Sequence, residues 1–152
     1  MKLEPLFTYH ANLGASLDIG AGPYGHRVIV EVDGGAFEGP RLKGVIRKAG
    51  CADWLAVGAD GYGHLDVRAT FETHDGAYLY VQYTGHVEMT EAVQKAIAGE
   101  GETDYGDNYF VTTPRIQTGD SRYQWLNNVV CVGQGRIRRG RVEYQVYQVV
   151  NG

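Results

Sequence analysis

Serine, cysteine and basic charge are all scarce in this chain, and each shortage removes a class of function. The serines are Ser16 and Ser121, and neither sits in a G-x-S-x-G turn, so a nucleophile-elbow hydrolase is excluded. The cysteines are Cys51 and Cys131, in apolar or small-residue segments without a catalytic signature. Buried free thiols are the expected state, with a disulfide between the two as the alternative. Lysine and arginine number 14 against 18 acidic residues, a net charge of −4, which argues against a general nucleic-acid binder. None of the five histidines is spaced H-x-H or H-x-x-x-H, so no metal and no cofactor is expected. The start, Met-Lys-Leu-Glu-Pro-Leu, lacks a signal-peptide core and no apolar run reaches membrane-spanning length, so no membrane contact and a cytoplasmic location are expected.

Glycine and tyrosine are abundant, at 22 and 11 residues. Glycines suit tight turns and bulges; tyrosines suit strands that bury a ring and keep a hydroxyl. Asp33-Gly34, Asp60-Gly61 and Asp75-Gly76 each separate strand-like runs and read as hairpin turns. The runs are Leu3–Leu13, His26–Val32, Ala36–Lys48 in two pieces, Asp53–Val57, His64–Thr73, Tyr78–Val87, Asn108–Gln117, Trp125–Val132 and Arg141–Val150. Eight or nine antiparallel strands with short turns predict one all-β domain over residues 1–152, a small barrel. One short helix is expected near residues 90–98. Thr90 is its N-cap, Met89, Val93 and Ile97 form its apolar stripe, and Gly99 stops it. The acidic, glycine-rich stretch 99–108 reads as a loop, either a lid or a solvated connector. Gly20-Ala21-Gly22-Pro23-Tyr24-Gly25 matches the dinucleotide fingerprint literally, but a strand follows where a helix is required, so that reading fails.

A two-residue turn at Asp75-Gly76 sets Thr73 opposite Tyr78, Arg68 opposite Tyr83 and Asp66 opposite Gly85. One hairpin face then carries Asp66, Arg68, Thr70 and Glu72 with Leu79, Val81 and Tyr83. This mixed face is expected to line a partly apolar internal cavity, into which Asp66 and Arg68 look; the bland alternative is an exposed face of weakly interacting charges. Trp125 and Asn127 would share a face of the late strand.

The order of local motifs is similar to that of the DUF3237 (UPF0311) family of bacterial and fungal proteins. The residues carrying this resemblance are Gly25-His26-Arg27, Asp33 to Pro40, Asp53-Trp54, Leu65-Asp66-Val67-Arg68, Thr73 to Ala77, Tyr109-Phe110, Tyr123, Trp125-Leu126-Asn127 and Val142–Tyr147. The resemblance spans nearly the whole chain and implies a compact, lipocalin-like barrel with an interior cavity. It supplies no agreed activity, but its motif residues Arg27, Asp53, Trp54, Asp66, Arg68, Tyr109, Tyr123, Trp125 and Asn127 form the site shortlist, to which the hairpin face adds Tyr83. Of these, Asp53, Asp66, Arg68 and Tyr123 are read as catalytic groups and Arg27, Trp54, Tyr83, Tyr109, Trp125 and Asn127 as groups that bind a small-molecule ligand. The expected function is a cofactor-independent isomerase, cyclase, hydratase or lyase acting on a cyclic or aromatic metabolite, with Asp53 or Asp66 as base. A non-catalytic binding barrel is the alternative, and a homodimer through edge strands is left open.

Overall fold

The computed structural model describes residues 1–152 and contains ten strands, one α-helix and one short 3₁₀ helix. The strands are β1 (Lys2–Gly22), β2 (Gly25–Glu38), β3 (Lys43–Ile46), β4 (Ala52–Val57), β5 (Tyr62–Thr73), β6 (Tyr78–Glu88), β7 (Phe110–Thr112), β8 (Arg115–Gln117), β9 (Cys131–Arg138) and β10 (Arg141–Val150). The helix α1 covers Glu91–Ile97, and the 3₁₀ helix covers Gln124–Asn128. All pairings are antiparallel and run in a closed circuit, β1–β2–β4–β5–β6–β7–β9–β10 and back to β1. β3 lies beyond β4 in the same gap between β2 and β5, and β8 pairs with β6 alone. The result is a barrel-like, all-β fold, thinnest where β7 meets β9 through Val111–Thr112 and Gln134–Gly133. No helix is long and apolar enough to cross a membrane.

Alternation decides which residues fill the interior. Phe7, Tyr9 and Ala11 on β1, Leu65 to Phe71 at every second position on β5, Leu79, Val81 and Tyr83 on β6, and Tyr144 and Val146 on β10 are buried. Phe7, Phe37 and Phe71 meet with ring centroids 4.9 to 6.1 Å apart, and Tyr9 continues the cluster 5.4 Å from Phe71. The expected hollow interior is therefore filled through this part of the barrel by aromatic rings. On β9, Gly133 and Gly135 let a neighbour approach: a Cβ on Gly135 would stand 2.7 Å from the Phe110 ring. At the other end the filling is looser. The inward residues Val28, Val30, Asp53 and Leu55 are only partly buried. Beside them β1 runs on from Gly14 to Gly22 after its pairing with β10 has ended at Asn12, so no strand closes that side.

Three sequence expectations change in the fold. The Asp75-Gly76 hairpin pairs Glu72 with Tyr78, Arg68 with Gln82 and Asp66 with Thr84, one residue away from the two-residue register. Its loop is His74-Asp75-Gly76, closed by the Thr73 amide donating to the Ala77 carbonyl at 2.8 Å, with Gly76 at φ +91°. A slip of one residue exchanges faces. Leu79, Val81 and Tyr83 join Leu65 and Val67 inside, whereas Asp66, Arg68, Thr70 and Glu72 lie on the outer wall. Asp33-Gly34 is a bulge within β2 and not a turn, because the β1 partners step from Ala11–Gly35 to Leu13–Val32. Finally, residues 124–128 coil into the 3₁₀ helix, and the last-but-one strand begins only at Cys131, so Trp125 and Asn127 do not share a strand face. The helix does form where expected: Thr90 Oγ1 accepts the Val93 amide at 3.2 Å, and Val93 and Ala96 are buried.

The 99–108 loop is held down. Thr103 is buried and exchanges hydrogen bonds with Ile137 at 2.9 and 3.0 Å, while Arg136 binds Asp104 at 2.8 Å. Of the arginines around the β9–β10 tip, Arg136 and Arg138 are thereby engaged with the loop, whereas Arg141 pairs with Glu143 on its own strand.

Candidate functional site

The β4–β5 ladder contains a gap. Ala52 and Asp53 pair with Arg68 and Val67, Ala56 and Val57 pair with His64 and Gly63, and Trp54 and Leu55 are skipped. A barrel wall cannot leave backbone groups unbonded there without a penalty. The Asp66 amide donates instead to Asp53 Oδ1 at 3.0 Å, and Arg27 Nη1 donates to the Trp54 carbonyl at 2.7 Å. Two side chains thus occupy the gap, one from inside the barrel and one from a neighbouring strand.

Asp53 points inward, since its partners Val67 and Val30 are inward residues of β5 and β2. Withdrawal from water raises its pKa to about 6, against an ordinary value of 3.8. The Asp66 amide bond and the Arg27 charge pull the other way, and the Asp66 charge adds to the rise. Above it in the same interior lie Tyr9, Tyr83 and Tyr144, from β1, β6 and β10. Tyr9 and Tyr144 stack at 4.7 Å, and Tyr83 meets them at 6.5 and 5.7 Å. Burial holds all three phenols well above their usual pKa, and the Asp53 charge raises each further. A carboxyl that titrates near neutrality beside neutral hydroxyls can move a proton to or from a bound molecule.

On the outer wall Trp54 is half-buried, with the exposed Arg68 guanidinium 5.4 Å from its ring centroid. These two residues border an open groove of about 1020 Å³ that also takes in Ile29, Ile46 and Lys48. Asp53, Trp54, Asp66, Arg68 and Arg27 therefore gather around the ladder gap, with Tyr83 in the interior beside Asp53. The remaining sequence candidates lie elsewhere. Tyr123 donates its hydroxyl to Asp75 at 2.8 and 3.0 Å, fastening the β5–β6 turn, where Thr73 Oγ1 also binds Asp75 at 2.6 Å. Asn127 exchanges hydrogen bonds with the Thr118 backbone at 2.8 and 3.0 Å. Trp125 lies under Arg41, 3.6 Å from its ring centroid. Tyr109 is exposed.

Sequence reasoning missed Tyr9 and Tyr144. Their only local signal is membership of alternating runs, Phe7-Thr8-Tyr9 and Tyr144-Gln145-Val146, and they meet because the first strand pairs with the last. Both cysteines are free and buried, in separate places, and burial pushes each thiol up to about 11.

Fold and site together define a barrel-like, all-β protein with an ionisable group at the half-open end of an aromatic interior. The chain belongs to the family described as "Protein of unknown function (DUF3237)", whose profile matches residues 1–149. A UPF0311 protein of Rhodopseudomonas palustris is 33% identical over 151 residues, covering 99% of this chain and 97% of the relative. A β-barrel-like protein of Acinetobacter baumannii has a crystal structure that superposes with a TM-score of 0.82 at 34% identity, covering 97% of this chain and 94% of that one. The crystal structure of an enzyme from Penicillium herquei shares the fold, with a TM-score of 0.71 at 21% identity over 98% of this chain and 94% of that one.

Proposed function

We propose that this protein is an enzyme acting on a cyclic or aromatic small molecule by general acid–base chemistry, of isomerase, cyclase, hydratase or lyase type, with no cofactor taking part. One observation carries the reading: the Asp53 carboxyl has its pKa raised to about 6 by burial, at the end of the barrel where the inward residues remain partly open. A base with a pKa close to the working pH is both free to accept a proton and able to return it. Arg27 holds the Trp54 carbonyl and keeps positive charge behind Asp53. The description of the Penicillium herquei relative in fold as an enzyme agrees with catalysis on this scaffold.

The test is hydrogen–deuterium exchange into a panel of enolisable cyclic ketones and phenols in D₂O, followed by NMR. Exchange catalysed by the wild type and lost in Asp53→Asn supports the enzyme. Saturable binding of panel members, with equal and background exchange by both proteins, supports the non-catalytic barrel instead.

A further inference from the structure

We infer, building on the reading of Asp53 above, that Tyr9, Tyr83 and Tyr144 form the oxygen-binding half of the site, and that its ligand is an uncharged molecule presenting a carbonyl or phenolic oxygen next to an acidic C–H or O–H. Tyr9 is 5% exposed, and its hydroxyl, which lies near that of Tyr83, makes no well-formed hydrogen bond. Buried side-chain polar atoms seldom go unpaired, the other one here being Thr112 Oγ1, and a donor left so beside further hydroxyls marks a place where another molecule's oxygen is expected. Nor is the hydroxyl isolated. The rings of Tyr9, Tyr83 and Tyr144 lie 4.7 to 6.5 Å apart, and Val67, which pairs with Tyr83 on one side, pairs with Asp53 on the other, so the donors and the carboxyl gather in one region from β1, β6, β10 and β4.

The chemistry of the donors selects the ligand. Neutral phenols offer O–H and no positive charge, which suits a carbonyl oxygen or an oxygen that acquires charge only during reaction. A carboxylate or phosphate would require a cation, and the nearby cations are poorly placed: Arg68 is exposed on the outer wall over Trp54, and Arg27 is engaged with the Trp54 carbonyl. In the step this permits, the Asp53 carboxylate takes the proton from the carbon beside the carbonyl. The C–H electron pair becomes the C=C bond, and the carbonyl π pair moves onto oxygen. The tyrosines donate hydrogen bonds to the resulting enolate without losing their protons. Return of the Asp53 proton to the same or a conjugated carbon completes exchange or isomerisation, with nothing oxidised or reduced.

The probe is 2-naphthol, an aromatic hydroxyl compound, titrated by fluorescence into wild type, Tyr9→Phe, Tyr144→Phe and Asp53→Asn, with benzoate as the charged competitor. Saturable binding that weakens about tenfold in each tyrosine variant, with benzoate unable to compete, is the expected result. Tyr9→Phe keeps the ring and removes only an unpaired hydroxyl, so its Tm should not fall, which separates loss of binding from loss of fold. Equal affinity in wild type and both tyrosine variants, displacement by benzoate, or no binding to wild type each overturns the inference. The two readings fail separately. Tyrosine-dependent naphthol binding with identical exchange by wild type and Asp53→Asn sinks only the role of Asp53; Asp53-dependent exchange with tyrosine-independent binding sinks only the oxygen site.

Discussion

Asp53 Oδ1 accepts the Asp66 amide hydrogen at 3.0 Å, so a side chain of β4 serves where a backbone carbonyl of β4 would otherwise accept from β5. The substitution ties the candidate base to the wall of the barrel. A carboxylate whose one oxygen completes a sheet ladder has little freedom to turn, and its other oxygen is left to face whatever enters. Pre-positioning of this kind is what a general base requires, because the geometry need not be bought again at each turnover.

Asp53 also makes stability depend on pH in an unusual direction. Its carboxyl titrates near 3.8 when unfolded and near 6 when folded, so the native chain binds more protons between those values. Stability contributed by this group is full below about pH 4 and falls as pH rises through 6. Asp53→Asn removes the penalty, so urea unfolding should show equal stabilities near pH 4 and an advantage of about 2 kcal/mol for the variant at pH 7, allowing for partial exposure. A difference between the two proteins that stays flat with pH contradicts the raised pKa.

Arg27 opposes that rise through its charge while holding the Trp54 carbonyl. Arg27→Met should therefore move the Asp53 pKa further above 6, read from its side-chain carboxyl ¹³C shift across a pH titration. Should the pKa stay where it is or fall, the guanidinium does not act on Asp53.

If the enzyme reading holds, the rate at limiting substrate should climb through a limb near pH 6 as Asp53 loses its proton. In Arg27→Met that limb should shift upwards along with the NMR pKa. A rate independent of pH between 5 and 8 would assign the chemistry to another group.

Tyr123 and Asp75 form a clasp remote from the ladder gap. Tyr123→Phe should lower Tm by a few degrees and leave 2-naphthol affinity and exchange unaltered. Bonds from Thr73 and Tyr123 hold the Asp75 carboxyl below its ordinary pKa. That contribution is present above about pH 4 and is lost on further acidification, a dependence the phenylalanine variant should weaken. A selective loss of exchange with unchanged Tm would return Tyr123 to the site.

Gly135→Ala would drive a Cβ into the Phe110 ring, at 2.7 Å. A cost of about 1–3 kcal/mol is expected, measurable by urea unfolding, because the ring lies between β9 and Tyr144, 5.4 Å from the latter. A neutral result would mean that the ring has room to move aside.

Local chemistry accounts for much of what could be read in advance. Thr90 caps its helix because its hydroxyl meets an amide three residues on, and Asp60-Gly61 turns the chain because Gly61 accepts φ +82°. The cluster of Arg27, Asp53, Trp54, Asp66 and Arg68 was visible as motif residues. What they share, the gap in the β4–β5 ladder, was not, since it depends on how two strands pair.

Alternation, turn residues and the helix signature are properties of neighbouring residues, and the sequence by itself determined an all-β chain with one short helix. Which face of the β5–β6 hairpin points inward rested on whether its loop holds two residues or three, and Thr73 bonding to Ala77 decided it. Closure of the first strand on the last, with Tyr9 stacked on Tyr144, joins residues more than 130 positions apart. Contacts of that range are settled by packing of the whole barrel. The interior that looked hollow from its strands was therefore filled with aromatic rings, and Asp53, not Asp66 or Arg68, was left facing it.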